Sequence, residues 1–250
     1  AEFLQLHRTR GCQFEPVAVA HGWSPKSYAD AVSELEKVGY DRIAMGGMVP
    51  LKTPDIVDTL KEVSVAAAPH TRLHLLGVTR TSHIPEFASF GVTSFDSTSP
   101  FRQAFKDDKD NYYTLDGSHV AIRVPQVDGN TRLRRQVTAG LVDQRAARRL
   151  ERESLDMLRA YDGGSAKIDD VLDALGRYSE LLGEKKDYSV EYRRTLEAKP
   201  WQECGCTVCT TIGVEVIIFR GADRNRRRGF HNLSVFAERL RRTLESDARS

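Results

Sequence analysis

The chain has 250 residues, 40% hydrophobic and 29% charged, with 37 Lys and Arg against 35 Asp and Glu and a formal charge of +2. That length allows one sizeable core or two small ones. No apolar run approaches the roughly 20 residues that a membrane span needs, so no membrane partner is expected. Four cysteines, three of them clustered, without a secretory pattern, point to a reducing, cytoplasmic setting.

The first hundred residues alternate short apolar strands with capped helices. Residues 1–12 read as a helix whose preceding strand is absent. A strand is expected at 16–20 (PVAVA), leading into His21-Gly22. Ser24 and Pro25 then supply an N-cap followed by proline in the first helical turn. Tyr28, Val32, Leu35 and Val38 hold helical spacing up to Gly39. A strand at 42–45 runs into the Gly46-Gly47 turn, and Thr53-Pro54 opens a helix with Ile56, Leu60 and Val63 as its stripe. A third strand spans 73–76 and ends in Gly77, a short helix covers 85–90, and a fourth strand at 92–95 ends in Asp96. Strands recurring every 20 to 30 residues with helices between them are βα units, which predicts an α/β fold with a parallel sheet. Four units do not close a (β/α)8 barrel. The expectation is the C-terminal part of such a barrel, belonging to a longer protein, with an open doubly wound sheet as the alternative.

From 113 to 125 the alternation is that of a hairpin, with Asp116-Gly117 as its turn. Residues 132–198 are charged and helical, with one stripe from Leu133 through Leu158, a break at Gly163-Gly164, and a second stripe from Ile168 to Leu182. The last segment carries a helical stripe of Leu233, Phe236, Leu240 and Leu244. This divides the chain into a partial barrel (1–125), a helical insertion (126–199), and a cysteine-bearing subdomain with the C-terminal helix (200–250).

Cys204, Cys206 and Cys209 form a Cys-x-Cys-x-x-Cys run, and His231 follows about twenty residues later. Three soft thiolates on one tight loop, closed by an imidazole, are the donor set of a structural Cys3His zinc site. The competing reading, a disulfide pair plus a spare thiol, is weak, because Cys12 is the one remaining cysteine. Arginine is concentrated in two places. Residues 220–250 hold nine Arg against four acidic residues, and 132–149 hold six against one. Arg224, Arg226, Arg227 and Arg228 lie between the last cysteine and His231, on what reads as a loop pinned by metal at both ends. Planar guanidinium groups held this way suit phosphate, although two solvated helical faces would show the same composition.

Asp96 is the strongest candidate for chemistry. It follows an apolar strand at the C-terminal end, where barrel enzymes keep their reactive groups, and Ser97, Thr98, Ser99 and Pro100 follow it. A carboxylate there can attack a sugar carbon and trap it covalently, while a simple helix N-cap is the plainer role. At Gly46-Gly47 two glycines let the backbone approach a flat ligand, or merely serve a tight turn.

In order, GGM (46–48), LLGV (75–78), FD-x3-P-x-R (95–102), YTLDG (113–117), CGCTVC (204–209) and the late His231 resemble the queuine/archaeosine tRNA-guanine transglycosylase superfamily. The resemblance covers about 13–125 and 200–245, and GVEVIIFRGADRNRRRGFHN (213–232) is closer to its DNA-acting branch. It implies a (β/α)8 barrel with a zinc subdomain, exchanging guanine in DNA for a 7-deazaguanine such as 7-cyano-7-deazaguanine; tRNA is the alternative substrate. It makes Asp96 the nucleophile on C1′. Gly46, Gly47 and Met48 would present backbone groups to the base, and Leu76 and Gly77 would line the same pocket. Arg102 would meet a phosphate, and Cys204, Cys206, Cys209 and His231 would hold zinc. Helper proteins or a homodimer are further partners it allows.

Two departures stand out. His21 occupies a position where the family has Gln, so it is either a base contact or a core histidine. The family's acid/base Asp motif has no match before residue 13, which predicts that this stretch does not turn over alone. A non-catalytic, zinc-stabilised nucleic-acid-binding protein is the reading from a different class.

Overall fold

The computed structural model describes residues 2–78, 80–106 and 110–247; Ala1 and Arg249, which entered the sequence reading, lie outside them. The chain divides into two compact units, residues 1–99 with 240–250, and residues 100–239. The helical segment and the cysteine segment lie in the same compact unit, which begins at Pro100.

The first unit begins with α1 (Glu2–Thr9) and then repeats strand and helix: β1 (Ala18–Ala20), α2 (Pro25–Val38), β2 (Arg42–Met45), α3 (Thr53–Ala66), β3 (Arg72–Leu75), α4 (Ile84–Ser89) and β4 (Val92–Phe95). The capping signals act as expected at α2. Ser24 accepts a hydrogen bond from the Ser27 backbone, Ser27 reciprocates, and Gly39 ends the helix. At α3 the cap position is Lys52, one residue before Thr53. The strands pair in parallel in the order β1-β2-β3-β4. Each neighbour in sequence is therefore a neighbour in space, and all four C-terminal ends lie along one rim.

Period-2 alternation sorts the sheet into two faces. Ala18, Ala20, Ile43, Met45, Leu73 and Leu75 join Tyr28, Val32, Ile56, Leu60 and Val63 of the helices in one buried core. Each fully buried Ile, Leu or Met there contributes about 1.5–3 kcal/mol. The register places Val19, Ala44, His74 and Ser94 in one row on the opposite face. That row is apolar at its β1–β2 half and polar at its β3–β4 half, and its Val19 remains 48% exposed. One row below, Arg42 and Arg72 both pair with Glu15.

The second unit contains α5 (Ser99–Gln103, at its edge), the short strands β5 (Tyr112–Tyr113), β6 (Ser118–His119) and β7 (Ile122–Arg123), the helices α6 (Thr131–Thr138), α7 (Gln144–Asp162), α8 (Ile168–Leu181), α9 (Ser189–Ala198), α10 (Pro200–Glu203) and α11 (Thr207–Ile212), then β8 (Ile218–Phe219) and α12 (Gly221–Asp247). The hairpin is present: β5 pairs antiparallel with β6, and Thr114 donates to the Gly117 carbonyl at 3.0 Å. The stripe read as one helix from Leu133 to Leu158 is two, α6 and α7, separated by a turn at Gly140. Leu141, expected on that stripe, is 75% exposed. The larger correction concerns α12. It begins at Gly221, so the arginine run before His231 is helical and not a loop. Among the described residues no helix is long and apolar enough to cross a membrane.

Candidate functional site

In the first unit the rim brings together residues that lie far apart in sequence. His21 follows β1, Gly46, Gly47 and Met48 follow β2, Leu76 and Gly77 follow β3, and Asp96 follows β4. The register between β3 and β4 shifts between Leu73 and His74, so that Ser94 pairs with His74 and Phe95 with Leu75. Such an irregularity re-aims the residue beyond it. Here the Asp96 N–H donates to Leu75 O at 3.3 Å, and the carboxylate turns toward β3.

The Gly77 N–H donates to Asp96 Oδ1 at 2.7 Å. Gly77 has φ +74°, and a Cβ there would stand 2.6 Å from Val49 Cγ2. Only glycine gives this peptide both its turn and its room, and the peptide orients the carboxylate. Nε2 of His74 lies 3.7 Å from the same oxygen, while its Nδ1 is 2.8 Å from Ser94 Oγ. A serine, an imidazole and a carboxylate thus form a row across two strands. The Asp96 side chain is 63% exposed, open to an incoming atom. An oriented, accessible carboxylate beside an imidazole can act as a nucleophile or carry a proton.

At Gly46 the constraint is close approach. A Cβ would stand 2.4 Å from Cε1 of His21, so the imidazole lies directly over that glycine. His21 is exposed, which removes the core-histidine alternative. The Gly46 N–H is taken by Ala20 O at 2.9 Å, and its carbonyl accepts the Tyr28 hydroxyl at 2.8 Å. Met48 is fully buried in the core, backbone included, so it does not present to a ligand the groups that the sequence led one to expect; Gly47 beside it is exposed. Leu76 is half-buried and its N–H faces Met45 O at 3.4 Å.

The second unit holds the cysteine cluster. One donor atom from each of Cys204, Cys206, Cys209 and His231 lies within 4.8 Å of all the others. Nδ1 of His231 is 3.6, 3.4 and 3.3 Å from the sulfurs of Cys204, Cys206 and Cys209. Zinc bonded tetrahedrally at about 2.3 Å to sulfur and about 2.0 Å to nitrogen requires S···N separations of about 3.5 Å. The four residues fit such an ion. The environment also sets the histidine tautomer: Nε2 donates to Tyr113 O at 2.8 Å, which leaves the Nδ1 lone pair for a metal. Tyr112 stacks on the imidazole with centroids 4.0 Å apart, and its hydroxyl lies 3.2 Å from Cys209 Sγ.

Electrostatics point the same way. The hydrogen bond from Cys209 holds the Cys204 thiol down to about 3. Burial pushes Cys206 up, and the bond to Cys204 together with burial pushes Cys209 up. Three thiolates at this spacing repel one another, and a divalent cation removes the conflict.

The basic run has a different fate from the one expected. Arg228 is fully buried. Its guanidinium donates to Val216 O and Ile218 O at 3.3 and 3.2 Å, and to Ala104 O and Asn225 Oδ1 at 2.6 Å each. Burial pushes it down to about 9. It cannot meet a phosphate, because every donor that could do so except the unpartnered Nε is spent inside the protein. Arg224 is engaged by Glu215 at 2.7 Å, and Arg226 pairs with Asp223 at 3.2 Å. Arg227 is exposed, as is Arg102 on α5.

Sequence reading missed His74 and Ser94, which a period-2 count on β3 and β4 would have placed on the face away from Leu73 and Leu75. It also missed Asn232, whose fully buried amide accepts from the Tyr113 N–H at 3.0 Å and donates to Pro100 O and Asn111 O at 3.1 and 3.2 Å.

No protein-family model matches the chain. Over 235 residues it is 47% identical to a curated protein of Salmonella montevideo named DNA-guanine transglycosylase. The chain is a relative of that enzyme. The alignment covers 92% of this chain and 56% of the Salmonella protein, so the chain spans little more than half its relative's length. The likeness to the transglycosylase superfamily, and to its DNA-acting branch, is thereby borne out.

Proposed function

We propose that the chain carries the nucleophile of a transglycosylase that exchanges guanine in DNA for a 7-deazaguanine base, 7-cyano-7-deazaguanine being one candidate. The observation that carries the reading is Asp96, exposed at the strand rim with Oδ1 fixed by the Gly77 N–H. Its carboxylate attacks C1′ of the target nucleoside, the C1′–N9 bond breaks, and the electron pair leaves with guanine, which takes up a proton. The incoming base then attacks C1′, loses a proton and releases Asp96. His74 holds the carboxylate in place from β3. His21, the exposed backbone of Gly47 and the half-buried Leu76 bound the space for the base, with Gly46 making room for the His21 ring. Gly77 serves the nucleophile more than the base.

The parallel strands in sequential order, with Val19, Ala44, His74 and Ser94 in a row on the face away from the helices, support a (β/α)8 barrel of which these four strands are a part. Cys204, Cys206, Cys209 and His231 hold a structural zinc ion. Such an ion would tie α11 to α12, and the hydrogen bond from His231 Nε2 to Tyr113 O joins α12 to β5. The target base must leave its stack for C1′ to reach a carboxylate at the rim, so the substrate is a flipped or single-stranded nucleotide. Nucleoside mass spectrometry on DNA and tRNA from cells expressing the full-length gene tests the reading. The expected result is a deazaguanine deoxynucleoside in DNA. The modified nucleoside in tRNA alone, or in neither polymer, overturns it.

A further inference from the structure

In the run on α12, Arg228 is buried and Arg224 and Arg226 stand in ion pairs. A second basic place lies within the second unit, where the end of β7 faces the turn between α8 and α9. A cleft of about 310 Å³ there is lined by Arg123, Arg132, Glu184, Lys185, Lys186 and Tyr188. Four cations thus face one carboxylate. That carboxylate is already engaged, since Glu184 pairs with Arg123 at 3.3 Å and accepts the Ser179 hydroxyl at 3.3 Å. The adjacent Asp187 accepts the Ser189 N–H at 2.8 Å, which lowers its carboxyl and turns it into the start of α9. Arg132, Lys185 and Lys186 are exposed. Arg132 opens α6, whose only buried side chain is Leu133 and whose Arg134 and Arg135 also face solvent. The ring of Tyr188, half-buried, stacks on Tyr192 at 5.7 Å and gives the cleft a flat aromatic wall.

We propose that this cleft, walled by Arg132, Lys185, Lys186 and Tyr188, grips the phosphodiester backbone of the DNA substrate. Clustered cations gain affinity by releasing the counterions condensed on phosphates. An aromatic face beside them accepts an unstacked base without regard to its identity. The helical segment thereby acquires a task, to hold a DNA strand by its phosphates. The proposal rests on the DNA reading above.

The test is fluorescence anisotropy of a labelled oligonucleotide with the full-length protein across a salt series. Three proteins are compared: the parent, Arg132→Gln/Lys185→Gln/Lys186→Gln, and Arg226→Gln/Arg227→Gln. All five positions are exposed, so the fold is expected to survive, and melting temperature and metal content check that it does. The triple variant should bind on the order of tenfold or more weakly at low salt, with the slope of log K against log salt reduced by about 2 to 3. Tyr188→Ala should weaken binding with the slope unchanged. A parental slope in the triple variant of a protein that still binds and modifies DNA overturns the cleft and leaves the DNA reading standing. A slope that falls only in the α12 double variant also overturns the cleft. A parent that binds no DNA overturns the DNA reading, and the cleft with it.

Discussion

The two units hold their chemistry in opposite ways. In the first, Asp96 is exposed and is steadied by a backbone N–H from the neighbouring strand. In the second, His231, Asn232 and Arg228 are fully buried, and the important contacts run between side chains and carbonyls. A reacting group must stay open and needs a rigid edge behind it, which parallel strands provide through their backbone. A structural centre must exclude water, so every donor inside it needs a designated acceptor. The difference predicts that substitutions at the rim change rate with little cost in stability, and that substitutions in the buried network do the reverse.

The largest effect is expected at the Cys3His cluster. Cys206→Ser should release about one equivalent of zinc per chain and unfold the region around α11, since structural zinc contributes folding energy outright. Metal analysis beside circular dichroism reads both, and a metal-free yet fully folded parent contradicts the assignment. Next is Arg228→Met, which keeps the bulk but strands the carbonyls of Ala104, Val216 and Ile218. It should cost about 3 kcal/mol in urea unfolding, as unsatisfied buried groups do. It should leave the salt dependence of DNA binding intact; a flattened slope would return Arg228 to the nucleic-acid surface.

At the rim, His74→Phe should slow covalent adduct formation about 10²-fold, the scale of a misplaced reacting group, and change its pH profile with a near-parental melting temperature. Equal loss of stability and rate would make His74 merely structural. The smallest effect belongs to Glu215. Burial pushes its carboxyl up, but the guanidiniums of Arg159 and Arg224 outweigh this and hold it below the ordinary 4.5. A depressed carboxyl contributes stability above its unfolded value and loses it as pH falls through the folded one. Glu215→Gln should therefore cost about 1 kcal/mol at neutral pH and nothing in strong acid. A cost independent of pH would assign the effect to packing.

The comparison also explains what could be read from the sequence. The Cys3His cluster was legible because three of its members fall within six residues. The strand rim was legible because apolar alternation and caps repeat at regular intervals, and parallel pairing then follows. The partners of Asp96 were not, because His74 meets it only through a register shift that no local pattern announces. The arginine run was misplaced for a related reason. Charge density marks residues 224–228 as basic, yet only the packing of α12 against the carbonyls of Ala104, Val216 and Ile218 decides that Arg228 is interior. The two glycines at 46 and 47 read alike in sequence, but the backbone of the first is already committed to Ala20 and Tyr28.

The central claim is that Asp96 forms the bond to the sugar. Full-length protein mixed with a guanine-containing oligonucleotide and a deazaguanine, then denatured and separated by electrophoresis, should show a covalent adduct whose tryptic peptide carries the added mass at Asp96. Asp96→Ala should abolish that band while oligonucleotide binding and melting temperature stay at parental values. An adduct that persists in Asp96→Ala, or that maps to another residue, contradicts the account.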